Sequence, residues 1–428
     1  MRGIISPHDT RVPRVSPPAA RPVRVAVTGL GAVTGFGWGV DALAAGLASG
    51  RSAIGPFDLF DAARYATQIA AQVPAPPASL RRLPGWAAWS RADRFGVAAA
   101  REAIASAGLP FDAATGRGTG VFFGGSTGGL LESERLYEAH RDGTLARAPR
   151  GPIRRHPVQR PAEAVARALG ADGPVETVCS ACASGTLAIA AALDAVRQGE
   201  VRLALAGGAD SLARVTYGGF NALRAVDARP CRPFRGDRAG MSLGEGAAVL
   251  VLERRDAAET RGATILAEIL AGGASADAHH MTAPDPRGLG AVRAIARALE
   301  EGGRSPSDID LVNTHGTGTP LNDRAEYAAL RSVLQERAPV VPLAVSKGSV
   351  GHLLGGAGAV EAVATVLALR SQRLQPVPGG GEHDPEMPVR LPAREEGARI
   401  SAALSINLGF GGVNGVLLLA PAGETPVR

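Results

Sequence analysis

Lysine is almost absent from this chain. Of 46 Lys and Arg residues in 428, Lys347 is the only lysine. Codon bias accounts for the replacement elsewhere. It leaves Lys347 marked as a place where a compact ammonium fits and a planar guanidinium does not. Cysteine is scarce too: three thiols exclude a disulfide framework and fit a reducing cytoplasm, the expected location. Aromatic residues are 4% of the chain, so the core must be built from Ala, Val and Leu. No apolar run reaches the ~18 residues that span a bilayer, so no membrane association is expected. The N-terminus, MRGIISPHDTRVPRVSPPAARP, lacks the apolar stretch of a secretion signal, and residues 1–22 read as a disordered tail.

Glycine is plentiful, at 56 residues, and 45% of the chain is hydrophobic, ample for a large core. The net charge of +6 suits an acidic partner. Nucleic acid is not expected, because no binding motif and no interleaving of aromatic with basic residues supports it. Short apolar strands alternate with Ala-rich helices. Val23–Gly29 predicts a buried strand running into a Gly turn, and Val40–Ala48 a helix stopped by Gly50. Strands are expected at Gly120–Gly124, Leu203–Ala206, Ala247–Leu252 and Ile309–Asn313, and helices at Ala162–Leu169 and Gly290–Glu301. This alternation means an α/β fold with largely buried sheets. The stretch from Arg141 to Pro161 is the most loop-like interior segment.

Chemistry concentrates in four segments. In PVETVCSACASGTLAIAAALDAVRQG a strand precedes a helix, Ala183 to Arg197, apolar nearly all round and stopped by Gly199. Cys182 stands at its start, where free N–H groups and the helix dipole favour a thiolate, and small neighbours leave room for a substrate. A buried, inert thiol is the plainer alternative. Cys179 and Cys182 form a CxxC, so a redox pair is a second; the chain's size and the buried helix speak against it. Cys231 has no such setting. In LVNTHGTGTPLND, His315 ends a strand before a Gly/Thr loop. In AVSKGSVGHLLGGAGAVE, Lys347 and His352 share a Gly-dense turn. NLGFGGVN, from Asn407, is a fourth Gly-rich loop whose backbone can donate to an oxyanion and whose Phe410 can cover a pocket. Metal spacings such as HExxH are missing. Gly29, Gly31 and Gly35 imitate a dinucleotide-binding turn, but the third Gly comes one residue late and no acidic residue follows at the right distance.

With these motifs in order, and with VAVTGLGAVTGFG and GMSLGEGA beside them, the chain resembles the elongating β-ketoacyl-[acyl carrier protein] synthases from about Val23 to Leu419. The resemblance implies a thiolase-like fold: two pseudo-duplicated βαβαβαββ halves, residues 23–262 with the nucleophile and 263–428 with both histidines, layered α-β-α-β-α. It implies Cys182 as nucleophile, His315 and His352 as catalytic partners, Lys347 as organiser and Glu361 as its support. Cys182 and Phe410 would supply the oxyanion hole, and Thr317, Thr319, Phe410, Met241 and Leu408 would line the substrate pocket. Asn313, Glu361 and Ser405 match positions that hold a monovalent cation in some members. No cofactor is implied, since substrates ride on the phosphopantetheine of an acyl carrier protein. That carrier and a second ketosynthase subunit, identical or related, are the implied partners. Arg147 and Arg150 in the Arg-rich loop are candidate docking residues for the acidic carrier. Met241 stands where fatty-acid enzymes have Phe, and Leu408 replaces another Phe, which leans towards a polyketide or polyene pathway. The rivals are a coenzyme A-dependent thiolase and a non-catalytic partner subunit. The second His speaks against the first, and the retained Cys182 against the second.

Overall fold

The computed structural model describes residues 23–144 and 151–423. The N-terminal tail, Arg147 and Arg150 lie outside the described residues. The first half runs β1 (Val25–Thr34), α1 (Arg91–Ser106), β2 (Thr119–Gly124), α2 (Arg160–Leu169), β3 (Val175–Val178), α3 (Ser184–Gln198), β4 (Leu203–Asp210) and β5 (Gly246–Arg254). The second runs β6 (Ala267–Ala276), α4 (Leu289–Glu301), β7 (Leu311–Asn313), α5 (Pro320–Leu334), β8 (Leu343–Ala344), α6 (Ala357–Ser371), β9 (Ala403–Gly409) and β10 (Val413–Pro421). With peripheral elements such as the helices Val40–Ala48 and Leu130–Arg141 set aside, the core of each half is βαβαβαββ.

The strands lie in the order β3-β2-β4-β5-β1 in the first half and β8-β7-β9-β10-β6 in the second, so each half repeats the same path. In each, the last strand is antiparallel to both neighbours. The halves join where β1 pairs with β6 over three residues, Val25–Val27 against Ala267–Ile269, which makes the sheet continuous. Helices α3 and α6 touch strands of both halves and each other, so they form the central layer. Helices α1 and α2 cover the outer face of the first half, and α4, with α5 against it, that of the second. The result is the α-β-α-β-α layering of a thiolase-like fold.

Small residues make the central layer close-packed. A Cβ on Gly185 of α3 would lie 2.8 Å from the Ala359 nitrogen of α6, and one on Gly124 would lie 2.2 Å from the Gly185 nitrogen. Here glycine is required by close backbone approach, well inside ordinary van der Waals contact.

Two expectations are corrected. The first strand does not turn at Gly29: β1 continues to Thr34, with a register shift between Val27 and Gly29. A Cβ on Gly29 or Gly31 would meet the Ala103 or Ala99 carbonyl oxygen of α1 at 2.0 and 1.9 Å, so these glycines serve helix packing. Buried inside a strand, they form no phosphate cradle. Second, the segment Leu354–Ser371 is apolar and long enough to cross a membrane by length and composition. It is 83% buried inside the protein, where α6 fills the central layer.

Candidate active site

The turn that carries Cys182 is strained. Between β3 and α3, Ala181 takes φ 48°, a left-handed conformation costly for a residue with a Cβ. Ser184 holds the turn, accepting from the Ser180 N–H at 2.8 Å and donating to the Ala181 carbonyl at 2.6 Å. Cys182 is thereby presented at the start of α3, 7% exposed, at the floor of a cavity of about 230 Å³. Cys179, three residues earlier, is exposed, and all three cysteines are free. The two sulfurs of the CxxC thus face different surroundings.

The thiolate expectation is corrected. Burial pushes the Cys182 thiol up to about 11, and Lys347 and the backbone N–H groups of Phe410 and Cys182 only partly offset this. The resting group is a thiol. The same two N–H groups lie where a thioester oxygen on this sulfur can accept them.

His315, two residues past the end of β7, and His352, in the turn before α6, come from the other half. Their rings meet edge to face, with centroids 5.4 Å apart. One ring nitrogen of each and the Cys182 sulfur lie within 4.8 Å of one another. Nδ1 of His315 faces two groups that can only donate there, Lys347 Nζ at 3.1 Å and Asn407 Nδ2 at 3.4 Å. Nδ1 of His352 accepts the Leu354 backbone N–H at 3.1 Å. Each neutral ring therefore carries its proton on Nε2. Nε2 of His352 is buried without a hydrogen-bond partner among the described residues, a donor ready for a ligand oxygen. Both imidazoles are held well below the usual histidine pKa, first by burial and then by the Lys347 charge. Burial, more than the ammonium, keeps them neutral.

Lys347 is 1% exposed, its ammonium 2.5 Å from Glu361, whose other carboxylate oxygen accepts from Asn407 at 2.7 Å. Asn407 is anchored in turn by the Thr186 hydroxyl of α3 at 2.5 Å. This network crosses between the halves. Thr317 and Thr319 line the cavity with their hydroxyls 2.9 Å apart, and Met241, Leu408 and Phe410 line it too. Phe410 leans on Phe220, ring centroids 5.8 Å apart.

The cation triad is differently employed. Asn313 donates to the Glu361 carbonyl at 2.9 Å and accepts from Ser346, and the Glu361 carboxylate faces Lys347 and Asn407. Ser405 Oγ is buried without a partner among the described residues. A cation reaching the Glu361 carboxylate would have to compete with the ammonium. A metal on Cys182, His315 and His352 fits poorly, because freeing Nε2 as a ligand would move each ring proton to Nδ1, where Lys347, Asn407 and the Leu354 N–H already donate.

Two residues given no role in the sequence reading belong to this site. Asn407 opens the fourth Gly-rich loop, but only the fold aims its amide at Glu361 and His315. Glu326 accepts the backbone N–H groups of His315 and Gly316 at 2.6 and 2.8 Å, and burial raises its pKa to about 8. Its place one helical turn past Asp323 carries no sequence signal of that contact.

Known proteins share this framework. The family models described as β-ketoacyl synthase, N-terminal domain, and β-ketoacyl synthase, C-terminal domain, match residues 23–258 and 266–380. The chain is 36% identical to a 3-oxoacyl-[acyl-carrier-protein] synthase 2 of Synechocystis sp., over 91% of this chain and 96% of the relative. It is 37% identical to a putative polyketide β-ketoacyl synthase 1 of Streptomyces cyaneus, over 94% and 99%. The solved ishigamide ketosynthase/chain length factor superposes with a TM-score of 0.88 at 34% identity, covering 94% of this chain and all of that one.

Proposed function

The chain belongs to the β-ketoacyl synthase family, and from that premise we propose that Cys182 carries the acyl chain while His315 and His352 steer its decarboxylative extension. The protein is a 3-oxoacyl-[acyl-carrier-protein] synthase, an acyltransferase of fatty acid or polyketide biosynthesis. One observation carries the residue assignment: the buried thiol and two imidazoles with Nε2–H share one cavity wall.

In the first half-reaction the thiol attacks an acyl thioester on the carrier's pantetheine. Its proton leaves with the departing pantetheine sulfur, so no net base is consumed. The carbonyl oxygen develops negative charge against the N–H groups of Cys182 and Phe410, already in place. Malonyl-carrier then enters. Its thioester oxygen accepts from Nε2 of both histidines. Loss of CO₂ sends the bond's electron pair into the enolate, which those two donors stabilise. The enolate carbon attacks the acyl carbon on Cys182, and collapse expels sulfur as thiolate. A thiol with a pKa of about 11 regains a proton at neutral pH, restoring the resting enzyme. Protonated imidazoles are not needed at any step.

Met241, 3% exposed on the cavity wall, supports a polyketide or polyene substrate, because an unbranched thioether adapts to chains of differing shape. A second ketosynthase subunit is proposed to pair along β3. This is an edge strand, its Val175 43% exposed, and such an edge offers an unpaired ladder to another strand. Three free thiols support a reducing compartment.

The test is intact-mass analysis after incubation with acyl-loaded carriers of several chain lengths. We expect one acyl adduct on the wild type and none on Cys182→Ala. An adduct that persists in the variant would overturn the assignment.

A further inference from the structure

Asp210, the last residue of β4, takes no part in the steps above, yet its side chain is fully buried. Its carboxylate gathers donors from two distant segments. Thr127 gives its N–H and its hydroxyl, both at 2.8 Å, and Ser126 its N–H at 2.9 Å. The Gly355 N–H completes the set at 2.7 Å. The first segment follows β2 and touches the turn that carries Cys182, where the Ser126 hydroxyl reaches the Ala181 carbonyl at 3.4 Å. The second is the turn that follows His352.

That turn depends on an unfavourable residue. Leu354 has φ 53°, left-handed, and its N–H is the one that His352 Nδ1 accepts. Such a conformation persists only where its surroundings hold it. The peptide leaving Leu354 is fixed by the Gly355–Asp210 bond. There is no slack beside it: a Cβ on Gly355 would lie 2.6 Å from Gly125 and 2.8 Å from Asp210 Oδ2.

We propose that Asp210 is a positioning residue for His352: by clamping Gly355 to the Ser126–Thr127 loop it keeps Leu354 left-handed, so that the Leu354 N–H occupies Nδ1 and the ring's proton stays on Nε2, facing the cavity. This rests on the proposed role of His352. The demand on Asp210 is specific to a carboxylate. Its two oxygens accept four donors, whereas an amide has one accepting oxygen and an NH₂ group that cannot accept an N–H. Oδ1 accepts the two Thr127 donors and Oδ2 those of Ser126 and Gly355, so Asp210→Asn must lose its hold either on the Thr127 N–H or on the Ser126 and Gly355 N–H groups, and either loss loosens the clamp.

The experiment is a double-mutant cycle on the full chain, using condensation of an acyl-carrier with malonyl-carrier as the readout. Asp210→Asn is expected to lower kcat by about 10- to 100-fold with little change in KM, as for a slightly misplaced catalytic group. In a His352→Ala background the same substitution should change the residual rate by less than about twofold, because its target is gone. An equal fold-loss in both backgrounds, or no loss in the wild-type background, overturns the proposal. Should Asp210→Asn not fold, Thr127→Val removes one hydroxyl donor. A smaller kcat loss confined to the His352 background supports the clamp, and a loss that persists without His352 overturns it. A wild type that condenses nothing, though folded, would sink the reaction and this role together.

Discussion

Lys347 has its ammonium between the Glu361 carboxylate and His315 Nδ1, with almost no exposure to water. Removing it leaves a buried carboxylate without a counter-charge. Lys347→Ala is expected to cost about 3–5 kcal/mol of stability, measurable by urea unfolding. Lys347→Arg keeps the charge but not the fit, and condensation should fall about 100-fold. The pH dependence follows from the same cluster. The histidines act as neutral rings whose pKa values burial and Lys347 depress, so protonation enters only below the usual 6.5. The acid limb of kcat should lie under that value. Alkylation of Cys182 by iodoacetamide should rise about tenfold per pH unit, levelling only near the thiol pKa of about 11. A plateau reached by pH 8, the mark of a preformed thiolate, would contradict this picture. The single lysine was legible in the sequence as an oddity, and the resemblance already paired it with Glu361; that its ammonium faces Nδ1 of His315, 32 residues away, was not.

At the scale of elements, the site depends on how deeply α3 can sit between the two half-sheets. Gly124 of β2 lies against the first turn of α3, where an added Cβ would stand 2.2 Å from the Gly185 nitrogen and 2.4 Å from the Ser184 carbonyl carbon. Neither is the end of a flexible side chain, so the helix itself must shift. Gly124→Ala is expected to lower stability by about 3 kcal/mol and to displace Cys182 enough to slow its acylation, read by thermal melting and by intact mass. The sequence announced α3 and its Gly199 stop, because apolar periodicity and capping are local signals. It misread Gly29 as a turn, because a glycine that admits a neighbouring helix and one that bends a chain look alike until the neighbour is known. Glu326 and Asp210 stayed invisible for a related reason. Each accepts backbone N–H groups, and backbone groups leave no residue-type signature at the other end of the bond.

At the scale of the whole molecule, the halves repeat one strand order and divide the chemistry between them: the thiol comes from the first, and both imidazoles, Lys347 and Glu361 from the second. Their correct juxtaposition rests on α3, α6 and the short β1–β6 pairing, all shared by the two halves. The outer edge at β3 is the contact proposed for a partner subunit. Val175→Lys is expected to shift the protein towards monomer in sedimentation analysis, because a charge on an exposed edge opposes strand addition. Unchanged sedimentation would move the subunit contact elsewhere.

The sequence by itself determined the alternation of elements, the family, a cysteine at a helix start and the Gly-rich loops around two histidines. These are readable because each rests on residue type and spacing within one segment. Tertiary structure alone decided the protonation of the site. Burial makes Cys182 a resting thiol and keeps the imidazoles neutral. Hydrogen bonds from Lys347, Asn407 and the Leu354 backbone place both ring protons on Nε2. Those outcomes depend on depth and on partners brought together from distant segments, and no local pattern encodes either.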